Sequence, residues 1–242
     1  MRQKDPRLLR SDVVVEVAGP VGVLKCVVTE PAEFAEPRWL AVIGHPHPQM
    51  GGTLHNKVVA TLARAVRQLG GLAVRFNYRG VEGSEGAYDE GVGEVADFLA
   101  VYRWSVERYQ PARTCVAGFS FGSYIAASAQ SQLTASELRP AGLLLVAPPV
   151  ARMPFNELPT LSPPSFVIQG EVDDVVEPES AYNWVACRGD IPAEHLIRVP
   201  GADHFFHGRL STIKDEAVEV FSKFLSEARQ STPRDEATRG QS

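Results

Sequence analysis

Two hydrophobic rhythms alternate along the chain. Residues 13–17 (Val-Val-Val-Glu-Val) and 24–28 (Leu-Lys-Cys-Val-Val) are β-rich runs separated by Gly19-Pro20 and Gly22, which predicts a β-hairpin. Residues 40–43, 114–117, 143–146 and 166–168 are short, nearly all-apolar runs, the pattern of strands covered on both faces. Residues 72–78 and 195–199 extend the series. Between these runs the apolar spacing lengthens to three and four residues. Over 53–69, Leu54, Val58, Leu62, Ala65, Val66 and Leu69 share one helical face that stops at Gly70-Gly71. Over 92–109, Val95, Phe98, Leu99, Tyr102 and Val106 do the same, and 123–133, 178–187 and 210–228 read as three further helices.

Strands alternating with helices predict an α/β fold: a mostly parallel sheet of about eight strands, helices on both faces, and antiparallel strands contributed by the N-terminal hairpin. No internal repeat interrupts residues 1–230, which read as a single domain. Residues 231–242 hold one alanine and nothing larger to bury, so they are expected to be a disordered tail.

Composition narrows the function classes. Lys and Arg number 24 against 29 Asp and Glu, a net charge of −5, which provides no overall basic footprint for nucleic acid and no attraction to anionic membranes. No apolar run is long enough to span a bilayer. The opening Met1-Arg2-Gln3-Lys4-Asp5-Pro6 has no apolar secretory core, so a cytoplasmic location is expected. Three cysteines, Cys26, Cys115 and Cys187, cannot all pair and read as reduced thiols.

In α/β sheets ligands bind beyond the carboxyl ends of the strands, and three groups of reactive residues fall there. Directly after 114–117 comes Gly118-Phe119-Ser120-Phe121-Gly122, and then a helix. This is G-x-S-x-G in a strand–turn–helix setting, where a sharp turn lifts a serine out of the sheet and flanking glycines avoid collision across it. A serine hydroxyl needs an adjacent base. His204 lies just past the last strand; His207 is further along, and His195 precedes its strand at the wrong edge of the sheet. The base needs an orienting carboxylate. The run after 166–168 offers Glu171, Asp173 and Asp174; Asp173 is favoured because a short side chain on a fixed turn holds an imidazole best, with Asp174 as the alternative. Asp203 adjoins His204, but consecutive side chains on an extended loop diverge. The chain order Ser120, Asp173, His204 matches one of the three common triad architectures.

With these residues in place the chain resembles the α/β-hydrolase superfamily from first strand to last helix. Within it, the chain is similar to the small bacterial hydrolases near the dienelactone hydrolases. The likeness is carried by Gly44-His45-Pro46-His47-Pro48-Gln49-Met50-Gly51-Gly52-Thr53-Leu54-His55-Asn56-Lys57 and by Arg75-Phe76-Asn77-Tyr78-Arg79-Gly80-Val81-Glu82-Gly83-Ser84-Glu85-Gly86. Dienelactone hydrolases proper use a cysteine nucleophile; Ser120 stands in its place, so their substrate does not carry over. The resemblance implies hydrolysis of an ester-type bond through an acyl-enzyme, with no cofactor and a small-molecule ester as partner. Many relatives insert a cap domain where this chain has only 147–165, a short proline-rich stretch, so an open groove suited to short-chain or exposed esters is expected.

An acyl-transfer site needs two N–H donors for the oxyanion. The first is expected from Phe121, after the nucleophile. The second should come from the loop after 40–43, where Pro46 and Pro48 have no N–H; this leaves His47 and Gln49, and the resemblance favours His47. A competing reading pairs His45 and His47, with His55, as metal ligands, although no Cys or acidic ligand sits nearby. The glycines of 80–86 are not spaced as a phosphate cradle; the segment is expected to border the site, with Arg79 and Tyr88 as candidate substrate contacts. The chain is therefore read as a serine hydrolase of carboxylic esters. A thioesterase, a small-peptide hydrolase or an inert binding fold are the alternatives, and a homo-oligomer is left open.

Overall fold

The computed structural model describes residues 11–36, 38–133, 138–161 and 164–227. The expected C-terminal tail lies outside the described residues. Eight strands form one sheet: β1 (Asp12–Gly19), β2 (Gly22–Thr29), β3 (Trp39–Gly44), β4 (Leu72–Phe76), β5 (Arg113–Phe119), β6 (Gly142–Val146), β7 (Ser165–Gly170) and β8 (Leu196–Val199). Their spatial order is β1-β2-β4-β3-β5-β6-β7-β8. β1 pairs antiparallel with β2 and β2 antiparallel with β4; every other pairing is parallel.

Strand side chains alternate between two cores. Leu40, Val42, Val74, Phe76, Val116, Leu143, Leu145 and Val167 face one side. There they meet Phe98 and Tyr102 of α2 (Val92–Tyr109), Ile125 and Ala129 of α3 (Phe121–Leu133), and Trp184 of α4 (Pro178–Cys187). Ala41, Ile43, Ala73, Cys115, Ala117, Leu144, Val146 and Ile168 face the other side. Their partners are Val59 and Leu62 of α1 (Lys57–Gln68) and Ala217, Phe221 and Phe224 of α5 (Leu210–Glu227). Burial of each Val, Leu, Ile or Phe among them contributes about 1.5–3 kcal/mol. Burial on both faces is why the central strands read as unbroken apolar runs.

Several boundaries differ from the sequence expectation. α1 begins at Lys57, not at residue 53, because the Asn56 side chain caps it by accepting from the Val58 and Val59 N–H groups. Leu54 is buried but belongs to the preceding turn, where its N–H donates to Asn77 Oδ1. β4 stops at Phe76, and α3 starts at Phe121 with no connecting loop. Between β6 and β7 the described residues hold only a single turn of 3₁₀ helix, Phe155–Glu157, so no cap domain covers the sheet. Cys26 and Cys115 are buried free thiols, and Cys187 is an exposed one. No helix among the described residues is long and apolar enough to cross a membrane.

Parallel register brings the working ends together. Gly44 at the end of β3 lies beside Gly118 of β5, and Val146 of β6 beside Ile168 of β7. The loops after β3, β5, β6, β7 and β8 thus leave the sheet along one edge.

A buried ion pair ties β1 to β4. Arg75 Nη2 lies 2.8 Å from Asp12 Oδ2, and Thr29 of β2 donates to the same aspartate. Arg75 also donates to the Leu54 carbonyl, so the guanidinium anchors the turn ahead of α1. Asp12→Ala strands that cation in the core and is expected to cost about 3–5 kcal/mol, read as a fall in the urea midpoint.

Candidate active site

Ser120 sits between β5 and α3 with φ +53°, a left-handed conformation costly for a residue with a side chain. The surroundings enforce it. The Ser120 N–H donates to the Val146 carbonyl (2.8 Å), and its carbonyl accepts from the Ser123 N–H (2.8 Å) and Oγ (2.5 Å). The turn is so tight that a Cβ on Gly118 would lie 1.9 Å from the Gly122 carbonyl oxygen. A Cβ on Gly122 would lie 2.5 Å from the carbonyl oxygens of both Gly44 and His45. Glycine is required at both positions for this reason, not for turn propensity alone.

His204 follows β8 and is 2% exposed, with its ring 5.0 Å from that of Phe119. Its Nε2 lies 3.1 Å from Ser120 Oγ, and its Nδ1 lies 2.8 Å from Asp173 Oδ2. Asp173 is buried in the turn after β7. Its Oδ1 accepts from the N–H groups of Val175 (2.9 Å) and Val176 (2.7 Å), and its Oδ2 also accepts from Gln169 Nε2 (3.0 Å). Burial pushes this carboxyl's pKa up, but the bonds from His204, Val176 and Val175 together outweigh burial and hold it below the usual carboxylate value.

The competing acids and histidines lie elsewhere. Asp174 and Glu171 are exposed. Asp203 accepts from the His207 N–H (2.9 Å) and lies 2.7 Å from His207 Nδ1, a pairing on the surface. His195 stacks on Phe166 and contacts the Ser165 carbonyl at the opposite end of β7.

The loop after β3 is held by internal and cross-loop hydrogen bonds. His45 is fully buried, with Nδ1 2.6 Å from the Pro46 carbonyl and Nε2 accepting from the Tyr78 N–H at 3.2 Å. Burial drives its pKa down to about 3, and both ring nitrogens are engaged. His45 is therefore a neutral structural imidazole that ties the β3 loop to the β4 loop. His55 lies 3.8 Å from Glu82 instead of joining His45 and His47, and no group of three or more metal-ligating side chains occurs among the described residues.

His47 caps a turn of 3₁₀ helix, Pro48–Met50, by accepting the Gln49 N–H on Nδ1 (3.2 Å). The Gln49 N–H is thereby taken, while the His47 N–H has no partner among the described residues. The His47 ring lies 4.9 Å from Phe121 and 5.1 Å from Tyr88, and its Nε2 lies 3.1 Å from the Tyr88 hydroxyl. Tyr88, expected to border the site, thus holds the His47 loop. Arg79, expected beside it, is buried and makes a bidentate pair with Asp97 (3.0 and 2.8 Å), so it anchors the glycine-rich loop and is not free to meet a ligand. Gln169 carries only a faint sequence signal, an amide at the end of an otherwise apolar strand.

Ser120, Phe121, His47 and His204 open onto one cleft of about 320 Å³. Its walls are mainly apolar, from Pro46, Met50, Pro149, Met153, Val176 and Phe205, and Arg152 contributes a cation.

The fold and this site define a member of the α/β-hydrolase superfamily, and the chain belongs to its lid-less serine-hydrolase branch. It is 34% identical to XC6422 from Xanthomonas campestris, described as an a/b serine hydrolase without lid. That match covers 95% of this chain and all of that one, with a TM-score of 0.81. An alpha-beta serine hydrolase homologue from Coxiella burnetii is 39% identical, covering 88% of this chain and 97% of that one, TM-score 0.78. The uncharacterized protein RP471 of Rickettsia prowazekii is 32% identical over 78% of this chain and 77% of its own length. No protein-family model matches.

The Gly122 contact generates a test. Gly122→Ala forces apart the β3 loop and the start of α3, and is expected to cost about 1–3 kcal/mol, measured as a drop in Tm.

Proposed function

We propose that the chain cleaves carboxylic esters through an acyl-enzyme, with Ser120 as nucleophile, His204 as general base and acid, and Asp173 as its orienting carboxylate. The observation that carries this reading is the unbroken series from Ser120 Oγ through the two His204 nitrogens to Asp173, at 3.1 and 2.8 Å, with its serine end in the cleft.

The chemistry follows from those contacts. The Asp173 bond keeps the proton on Nδ1 and leaves Nε2 as the acceptor facing Ser120. As Oγ attacks the ester carbonyl, Nε2 takes its proton, and the resulting imidazolium is stabilised by the Asp173 carboxylate. The carbonyl oxygen becomes an oxyanion, which the N–H groups of Phe121 and His47 stabilise; loss of one such donor costs about 3 kcal/mol. Phe121 is the first residue of α3, so the positive end of that helix adds to the field. Collapse expels the alcohol, protonated by His204. Water then repeats the sequence at the acyl carbon and releases the acid and free Ser120. No cofactor takes part. The apolar walls and open mouth favour short-chain or exposed acyl groups.

Fluorophosphonate labelling at neutral pH, with the modified peptide located by mass spectrometry, tests the assignment. Label is expected on Ser120 and is lost in His204→Ala. Ser120→Ala and His204→Ala are each expected to lower kcat on a small ester by about four to six orders of magnitude with the fold retained. Full activity in either folded variant overturns the reading. Asp173→Asn is expected to reduce kcat by about four orders of magnitude and Asp174→Asn to leave it unchanged; the reverse result would move the orienting role to Asp174.

A further inference from the structure

Gln169 is a completely buried amide near the end of β7, on the same face of the strand as Val167. Its Nε2 donates to Asp173 Oδ2 at 3.0 Å and to the Gly170 carbonyl at 3.3 Å. Its Oε1 is buried with no partner among the described residues. The amide orientation is fixed by chemistry, because an ionised carboxylate accepts only and the nitrogen must face it. Burying an amide at the end of an apolar strand carries a desolvation penalty that its hydrogen bonds must offset. A buried polar group that keeps such a penalty calls for a functional explanation.

The carboxylate supplies one. Asp173 Oδ2 receives both the His204 and Gln169 bonds, while Oδ1 receives the two backbone N–H groups of Val175 and Val176. Four donors fix the carboxylate plane and spread its charge. We propose that Gln169 is a positioning residue for the reaction of Ser120, acting through Asp173: it aims Oδ2 at His204 and weakens that oxygen as a proton acceptor. Too basic a carboxylate would hold the His204 Nδ1 proton too tightly and tie up the imidazole as its cation. The assignment rests on the triad reading above. Other charged groups around His204 are engaged or peripheral. Asp203 pairs with His207, Glu171 and Asp174 are exposed, and His47 and Arg152 line the cleft. Gln169 therefore supplies the one donor to Asp173, besides His204, that a side-chain substitution can remove.

Gln169→Met keeps the length of the side chain and removes both the donor and the orphaned acceptor. Its Tm is expected to equal or exceed that of the unmodified protein. The low-field proton resonance of His204 Nδ1–H is expected to move further downfield, as Oδ2 becomes a stronger acceptor. With a small ester, kcat should fall about tenfold at unchanged KM. An unshifted resonance with unchanged kcat overturns the proposal. So does a large fall in Tm with full kcat per folded molecule, which would make Gln169 a packing residue. A measurement that needs no Gln169 variant is the NMR signal of the Gln169 side-chain amide: it is expected to shift in Asp173→Asn, and no response also overturns the assignment. The spectroscopic readouts need no turnover. They therefore separate failure of this assignment from failure of the ester-hydrolase reading, which would appear as an unlabelled Ser120.

Discussion

A near-collision of backbones organises the molecule. Gly122, one residue into α3, passes so close to the carbonyls of Gly44 and His45 that no side chain fits between them. This contact sets how far β5 and β3 run side by side, where α3 begins and where the loop after β3 lies. It also brings Ser120 and His47 to one cleft without any long connecting segment, since the residues that follow two adjacent strands must emerge together. The strained Ser120 backbone is sustained by this packing, with the Val146 carbonyl and Ser123 holding its peptide groups on either side.

Around that crossing, the loops at the working edge are held by buried polar anchors instead of apolar packing. His45 bridges the β3 and β4 loops, Asn77 accepts from Leu54 ahead of α1, and Arg79 grips Asp97 of α2. The Glu94 carboxylate accepts the Asp89 and Gly91 N–H groups and closes the entry to α2. All of these but the Glu94 anchor join groups far apart in sequence, and each is directional, so it fixes a loop in one geometry where apolar contact would allow sliding. The same logic reaches the site itself, where Asp173 is held by four donors from three directions of the chain.

Much of this was legible in the sequence, and what was not has definite causes. Period-two and all-apolar runs identify strands because the sheet is covered on both faces. Ser120 is legible because G-x-S-x-G between a strand and a helix has few other uses, and His204 because it lies past the last strand, which completes the chain order serine, acid, histidine. Asp173 and Asp174 could be ranked only by general preference. What separates them is that Asp173 folds back onto the Val175 and Val176 N–H groups and becomes buried, while its neighbour turns to solvent. The start of α1 is not legible because Leu54 is buried like a helical residue although it belongs to a turn. The anchoring roles of Arg79 and Tyr88 are not legible because their partners, Asp97 and His47, are distant in sequence. Hydrogen bonds that pair residues tens of positions apart leave no periodic trace.

The absence of a cap over the β6–β7 interval gives the cleft an asymmetric dielectric environment. Above Ser120 there is bulk water; below it, Asp173 and His204 lie almost wholly out of solvent. Fields from the buried groups are therefore weakly screened on the protein side and strongly screened toward the opening. Charge that develops close to the floor feels the protein's dipoles, whereas the distal parts of a bound molecule stay under the control of water. Such a site exerts strong influence on a few atoms at its base and little on whatever extends beyond its rim.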